Sequence, residues 1–138
     1  MQDSLYITGL VLFLILVFFL FVFKSSNKVS SRRKNEIYKQ MKSIKENIEL
    51  DLSSANRDSI VRLDSILSKV LQIRNRNNLT CGENLKKIRK QVKRDLYEEI
   101  WYYHKLRNSI VHDDIEVSRE DVKKGYQAYY KLISRLLG

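Results

Sequence analysis

Nineteen consecutive residues near the start of the chain, Leu5 to Phe23 (LYITGLVLFLILVFFLFVF), carry no charge. As a helix they would reach about 28 Å, close to the hydrocarbon thickness of a bilayer. Thr8 and Gly9 do not prevent a helix there. A soluble core helix would show a polar face, and this segment has none. A cleaved signal peptide is the other competing reading. Against it, the leading Met-Gln-Asp-Ser has no basic residue, and no small-x-small site follows the apolar run. The expectation is a transmembrane helix over 5–23, with the lipid bilayer as its partner.

Charge gives the segment a direction. All 26 Lys and Arg lie after Phe23, and only one of the 16 acids, Asp3, lies before it, so 24–138 carries +11. Lys24, Lys28, Arg32, Arg33 and Lys34 crowd the C-terminal side of the run. The positive-inside rule then predicts a single-pass protein with a short extracytoplasmic N-terminus over 1–4 and the rest in the cytoplasm. A basic linker is expected over 24–35 and a helical domain over 36–138. The excess positive charge suits nucleic acid or anionic headgroups. It equally suits a solvated surface beside a membrane.

Proline is absent and glycine occurs four times in 138 residues. That favours long helices over a turn-rich β fold. The single cysteine, Cys81, cannot form an intramolecular disulfide and reads as structural. Helical spacing then recurs along the chain. Ile37, Met41, Ile44 and Ile48 form one stripe, either two heptads of coiled coil or a face packed on the domain. Ser53-Ser54-Ala55-Asn56 reads as a break. Ile60, Leu63, Leu67 and Val70 mark the next helix, and Asn75 to Leu79 a polar loop.

Thr80-x-x-Glu83 reads as a capping box opening another helix. Its apolar phase runs through Leu85, Ile88, Val92, Leu96, Ile100 and Tyr103, with a kink or loop expected near Arg94-Asp95. Asp113 to Val117 is a short loop. Ser118-x-x-Asp121 caps a last helix with Val122, Tyr126, Tyr129, Ile133 and Leu136 on its buried face. The fold class is all-α: one transmembrane helix and a cytoplasmic bundle of four or five helices.

Chemistry concentrates in Arg107-Asn108-Ser109-Ile110-Val111-His112, an R-N-x-x-x-H run followed by Asp113-Asp114. Arg can grip a phosphate at two points, and His can move protons near neutral pH. On an ideal helix His104, Asn108 and His112 share a face, whereas Arg107 and His112 lie about 140° apart. Arg107 and His112 converge only if the helix distorts near its end or a second chain supplies the partner groups. Alternatively, Arg107, Asn108 and His112 serve the helix end itself, answering its free carbonyls and dipole.

Lys86, Lys87, Arg89, Lys90, Lys93 and Arg94 form a basic cluster, either an electrostatic track for RNA or phosphate, a headgroup contact, or a solvated face. Tyr97, Trp101, Tyr102, Tyr126, Tyr129 and Tyr130 could stack on bases, or could serve the core or a dimer interface. No Walker loop, dinucleotide turn or metal-ligand spacing occurs; His104 and His112 have no cysteine or acid near them in a standard ligand arrangement. No metal and no cofactor are expected.

From about Asp58 to Leu137 the chain resembles a HEPN domain, the small helical domain of prokaryotic toxins and defence ribonucleases. The resemblance rests on Leu63-Asp64-Ser65-Ile66-Leu67, Glu83-Asn84-Leu85, the segment His104 to Asp113 and Ser118-Arg119-Glu120-Asp121-Val122. It implies a homodimer whose two motifs face each other across a cleft. It also implies metal-independent RNA cleavage by ribose 2′-hydroxyl attack. His112 would then transfer protons, Arg107 hold the phosphate, Asn108 orient them and His104 support. An antitoxin or other regulatory protein would be a natural partner. The alternative is a non-catalytic, membrane-tethered interaction module, since a fold does not fix a function.

Overall fold

The structure, a computed structural model, describes residues 2–25, 29–50, 53–113 and 115–138. Among these residues there are six α-helices: α1 (Gln2–Ser25), α2 (Ser31–Glu49), α3 (Ser53–Asn75), α4 (Cys81–Ile88), α5 (Arg94–Asp113) and α6 (Arg119–Leu137). A 3-10 turn, Arg89–Gln91, follows α4. Among the described residues there is no strand.

The side chains described on α1 run from 6 to 22, and every one is exposed. That stretch would measure about 25 Å. Among the described residues no helix is long and apolar enough to cross a membrane. The apolar run in the sequence extends past both limits, to Leu5 and Phe23.

Helices α2 to α6 pack together around α3, which meets α2, α4, α5 and α6. That central position explains why α3 is apolar on more than one side: Ile60, Leu63, Ile66, Leu67, Val70 and Leu71 are all buried. The α2 stripe of Ile37, Met41, Ile44 and Ile48 is buried too, and it packs on α3 and α6 within the bundle. Arg119 ties the start of α6 to the end of α2, its guanidinium 2.8 Å from Glu49 Oε2.

Asn75 and Asp113, expected in loops, are the last residues of α3 and α5, and three boundaries differ by more than one residue. The basic linker is shorter than 24–35, because Ser30 caps α2 by accepting from the Arg33 amide and helix begins at Ser31. Residues 26–28 of that linker lie outside the described residues. Ser53 to Asn56 is the first turn of α3 rather than a break; Asn56 is buried and donates to the Val117 carbonyl at 3.4 Å. The interruption expected near Arg94-Asp95 falls earlier, over 89–93, where the 3-10 turn and an extended Val92 separate α4 from α5.

The caps form as their spacing predicts. Thr80 Oγ1 accepts from the Glu83 amide, and Glu83 Oε2 accepts from the Thr80 amide at 2.9 Å. Ser118 Oγ accepts from the Asp121 amide at 3.1 Å. The polar loop before α4 closes on buried Asn84, whose carbonyl oxygen accepts from Asn75 and Asn77 at 2.8 and 2.9 Å.

Candidate functional site

A polar cleft of about 640 Å³ opens between α3, the N-terminal end of α4 and α5. Ser65, Ser68, Lys69 and Gln72 line it from α3, and His104, Arg107 and Asn108 from α5. Thr80, Cys81 and Gly82 close its end, and Asp64 lies at its floor.

Asp64 organises the site. It sits one helical turn from Ile60 and from Leu67, on the buried face of α3, and is only 4% exposed. A buried carboxylate needs hydrogen-bond donors and a nearby cation. Its Oδ1 accepts from Tyr129 Oη at 3.0 Å and lies 3.0 Å from His104 Nδ1. Cys81 Sγ approaches the same oxygen at 3.6 Å. The Arg107 guanidinium supplies the charge, with Nε 3.9 Å from Oδ2. Burial and the adjacent carboxylate push the Cys81 thiol and the Tyr129 phenol well above their ordinary ranges, so both hold their protons.

With a proton on Nδ1 directed at Asp64, the His104 ring leaves Nε2 as its basic nitrogen. That face of the ring packs near Gly82. A Cβ at this position would lie 3.1 Å from His104 Nε2 and 3.7 Å from the Trp101 ring. Glycine is what lets α4 come this close. Trp101 packs against the imidazole with ring centroids 5.6 Å apart.

Arg107 pairs with Asp64 at longer range, its Nε 3.9 Å from Oδ2 and without a hydrogen-bond partner. Its Nη1 donates to Asn108 Oδ1 at 3.0 Å. Its side chain remains 32% exposed at the cleft wall. His112 does not join this group. It is exposed in the last turn of α5 and is not among the cleft residues. Because α5 stays helical through Asp113, no distortion swings His112 back toward Arg107. One chain therefore brings together Arg107, Asn108 and His104, but not His112.

The basic cluster does not lie along one helix. Lys86 and Lys87 end α4, Arg89 and Lys90 are in the 3-10 turn, Lys93 follows it and Arg94 opens α5. All six side chains are exposed. Arg94 pairs with Glu98 at 2.8 Å, and Arg89 lies over the Tyr97 ring at 5.9 Å. Of the aromatics, Tyr129 is fully buried, Tyr97, Trp101 and Tyr126 are half-buried, and Tyr102 and Tyr130 are exposed.

The sequence pattern undervalued Asp64, Cys81, Tyr129 and Gly82. One signal was available: Asp64 is an acid on the largely apolar buried face of an amphipathic helix. The spacing around His104 also concealed that an acid and a cysteine approach it, since both come from other helices. Asp64, Cys81 and His104 offer one ligand atom each, all within 4.8 Å of one another. The chain matches no protein-family model, no curated protein and no solved structure.

Proposed function

We propose that this chain is a membrane-anchored, HEPN-like domain that cleaves RNA without a catalytic metal. The observation that carries the reading is Arg107: a guanidinium held by Asp64 and Asn108 in a polar cleft, on the helix whose last turn exposes His112. Lys69 and the Ser68 hydroxyl add groups suited to phosphate. Since α5 keeps Arg107 and His112 apart within one chain, the reactive pair is assembled across a two-fold dimer.

In that arrangement His112 removes the ribose 2′-hydroxyl proton. The 2′-oxygen bonds to phosphorus and the P–O5′ bond breaks. The leaving 5′-oxygen takes a proton from water, His112 returns its own proton to solvent, and the products are a 2′,3′-cyclic phosphate and a free 5′-hydroxyl. Arg107 stabilises charge on the phosphoryl oxygens, and Asn108 holds Arg107 in place. His104, fixed by Asp64, supports the same cleft. The apolar α1 anchors the domain to the bilayer, with 24–138 on the cytoplasmic side.

The test is cleavage of unstructured RNA by the purified protein in excess chelator. Expected are cyclic-phosphate ends, intact DNA, and loss of cleavage in both Arg107→Ala and His112→Ala with the dimer preserved. Cleavage that survives either substitution sinks the assignment. The second reading, a tethered interaction module, draws on Arg107's engagement with its own helix and on Val111, 53% exposed beside His112. A correctly folded dimer inert toward varied RNAs would favour it.

A further inference from the structure

We propose that Asp64, Cys81 and His104 form a binding site for a zinc-class divalent transition metal at the floor of the α3–α4–α5 cleft. The site shares Asp64 and His104 with the cleft read above as RNA-cleaving, but its test reads metal uptake rather than cleavage.

The donor set is one carboxylate oxygen, one thiolate sulfur and one imidazole nitrogen, the mixture that zinc accepts. Zinc bonds of about 2.0–2.3 Å in a tetrahedron place neighbouring ligand atoms about 3.3–3.6 Å apart. Here Asp64 Oδ1 lies 3.0 Å from His104 Nδ1 and 3.6 Å from Cys81 Sγ. One ligand atom from each of the three residues falls within 4.8 Å of the other two. Small side-chain adjustments complete the three-ligand face. The ligands come from three different helices, so their spacing is held by the packed bundle rather than by a loop.

The surroundings suit a metal as well. Tyr129 Oη donates to Asp64 Oδ1 at 3.0 Å, and such a hydrogen bond to a ligating carboxylate orients it. Cys81 keeps its proton in the absence of metal, so the ion itself must displace that proton to gain the sulfur ligand. All three ligands line the open cleft, which leaves the fourth position for water or an anion. Binding displaces the Cys81 thiol proton to solvent, and the imidazole proton moves from Nδ1 to Nε2. One proton is released per metal bound. The charges of Asp64 and the Cys81 thiolate offset that of the ion.

The full-length protein in detergent, stripped with chelator and then dialysed, should be titrated with Co²⁺ as a spectroscopic probe and with Zn²⁺ in competition. Expected is saturable 1:1 uptake, with tetrahedral cobalt bands and a thiolate-to-cobalt charge-transfer band that zinc abolishes. Cys81→Ser should eliminate the charge-transfer band, and His104→Ala should weaken binding at least tenfold. Both variants keep Asp64 in place, and circular dichroism checks that they fold. Absence of 1:1 uptake, or the same charge-transfer band in Cys81→Ser, overturns the proposal. Metal uptake is read without RNA and cleavage is read in excess chelator, so the two readings fail separately.

Discussion

Asp64 Oδ1 and His104 Nδ1 meet at 3.0 Å although forty residues separate them in the chain. The contact does two things at once. It gives a buried carboxylate one of its donors, and it fixes the orientation of the only histidine in the cleft.

Replacing Asp64 with Asn should therefore cost more than one hydrogen bond. It removes the carboxylate on which Tyr129, His104 and Cys81 converge and leaves Arg107 without its nearest anion. Losing one member of a fully buried pair costs on the order of 3–5 kcal/mol. Arg107 is one-third exposed, so water recovers part of this, and about 2 kcal/mol is expected. Equilibrium denaturation of residues 29–138 measures it. A midpoint equal to wild type would show that Asp64 does not organise the site. The fragment must retain α2, because α2 buries Ile37, Met41, Ile44 and Ile48 against α3 and α6.

Local rules made most of the bundle legible. Ile37 to Ile48, Ile60 to Val70 and Val122 to Leu136 repeat at helical spacing, and burial follows that spacing closely. Thr80 and Ser118 name their helix starts because a cap is settled within four residues. The break at 89–93 was harder to place, since Val92 and Leu96 stay buried and keep the apolar phase running through it. The site was only half legible. Arg107 and Asn108 stand out as a short motif, but their carboxylate comes from α3, and no spacing rule links Asp64 to Cys81 and His104. His112 looked equivalent to His104 on the helix wheel. Position along α5 separates them: His104 meets Asp64 of α3 and lies near Gly82 of α4, whereas His112 is exposed in the last turn.

Gly125 should resist even alanine. A Cβ there would sit 3.0 Å from Ile60 Cδ1 and 3.0 Å from Tyr103 Cε1. Alanine gains about 1 kcal/mol in helix propensity. Overpacking a full core costs about 1–3 kcal/mol, and the rigid Tyr103 ring has little room to give. The expected net effect of Gly125→Ala is a loss of up to about 2 kcal/mol, seen as a lower Tm. A higher Tm would mean that Ile60 and Tyr103 repack freely.

Alkaline pH should unfold the bundle through its buried phenols. Burial, with Glu99 and Asp121 adding to it, pushes the Tyr103 hydroxyl from its ordinary value of 10.0 up to about 12. The folded state thus holds a proton that the unfolded chain releases earlier. Stability from this source is complete below about pH 10 and declines as pH rises from there toward about 12. Tyr129, shifted in the same direction by burial and Asp64, adds to the loss. Tyr103→Phe should flatten the pH dependence of Tm in that window. An unchanged slope would assign alkaline unfolding to other groups.

The native cysteine is a poor reporter of membrane orientation. Cys81 is 6% exposed, and burial holds its thiol protonated, so maleimides should leave it unmodified in the folded protein. Lys105 is exposed on α5 and does not line the cleft. Lys105→Cys, made together with Cys81→Ala, should therefore react rapidly in detergent with any thiol reagent. In intact cells the positive-inside arrangement around Leu5–Phe23 predicts labelling by a permeant maleimide and protection from an impermeant one. After the membrane is permeabilised, both reagents should label it equally. Rapid labelling by the impermeant reagent in intact cells would place the bundle outside, where cellular RNA could not be its substrate. Recovery of the protein in the soluble fraction would instead remove the anchor from the reading and leave α1 to be explained by some other apolar partner.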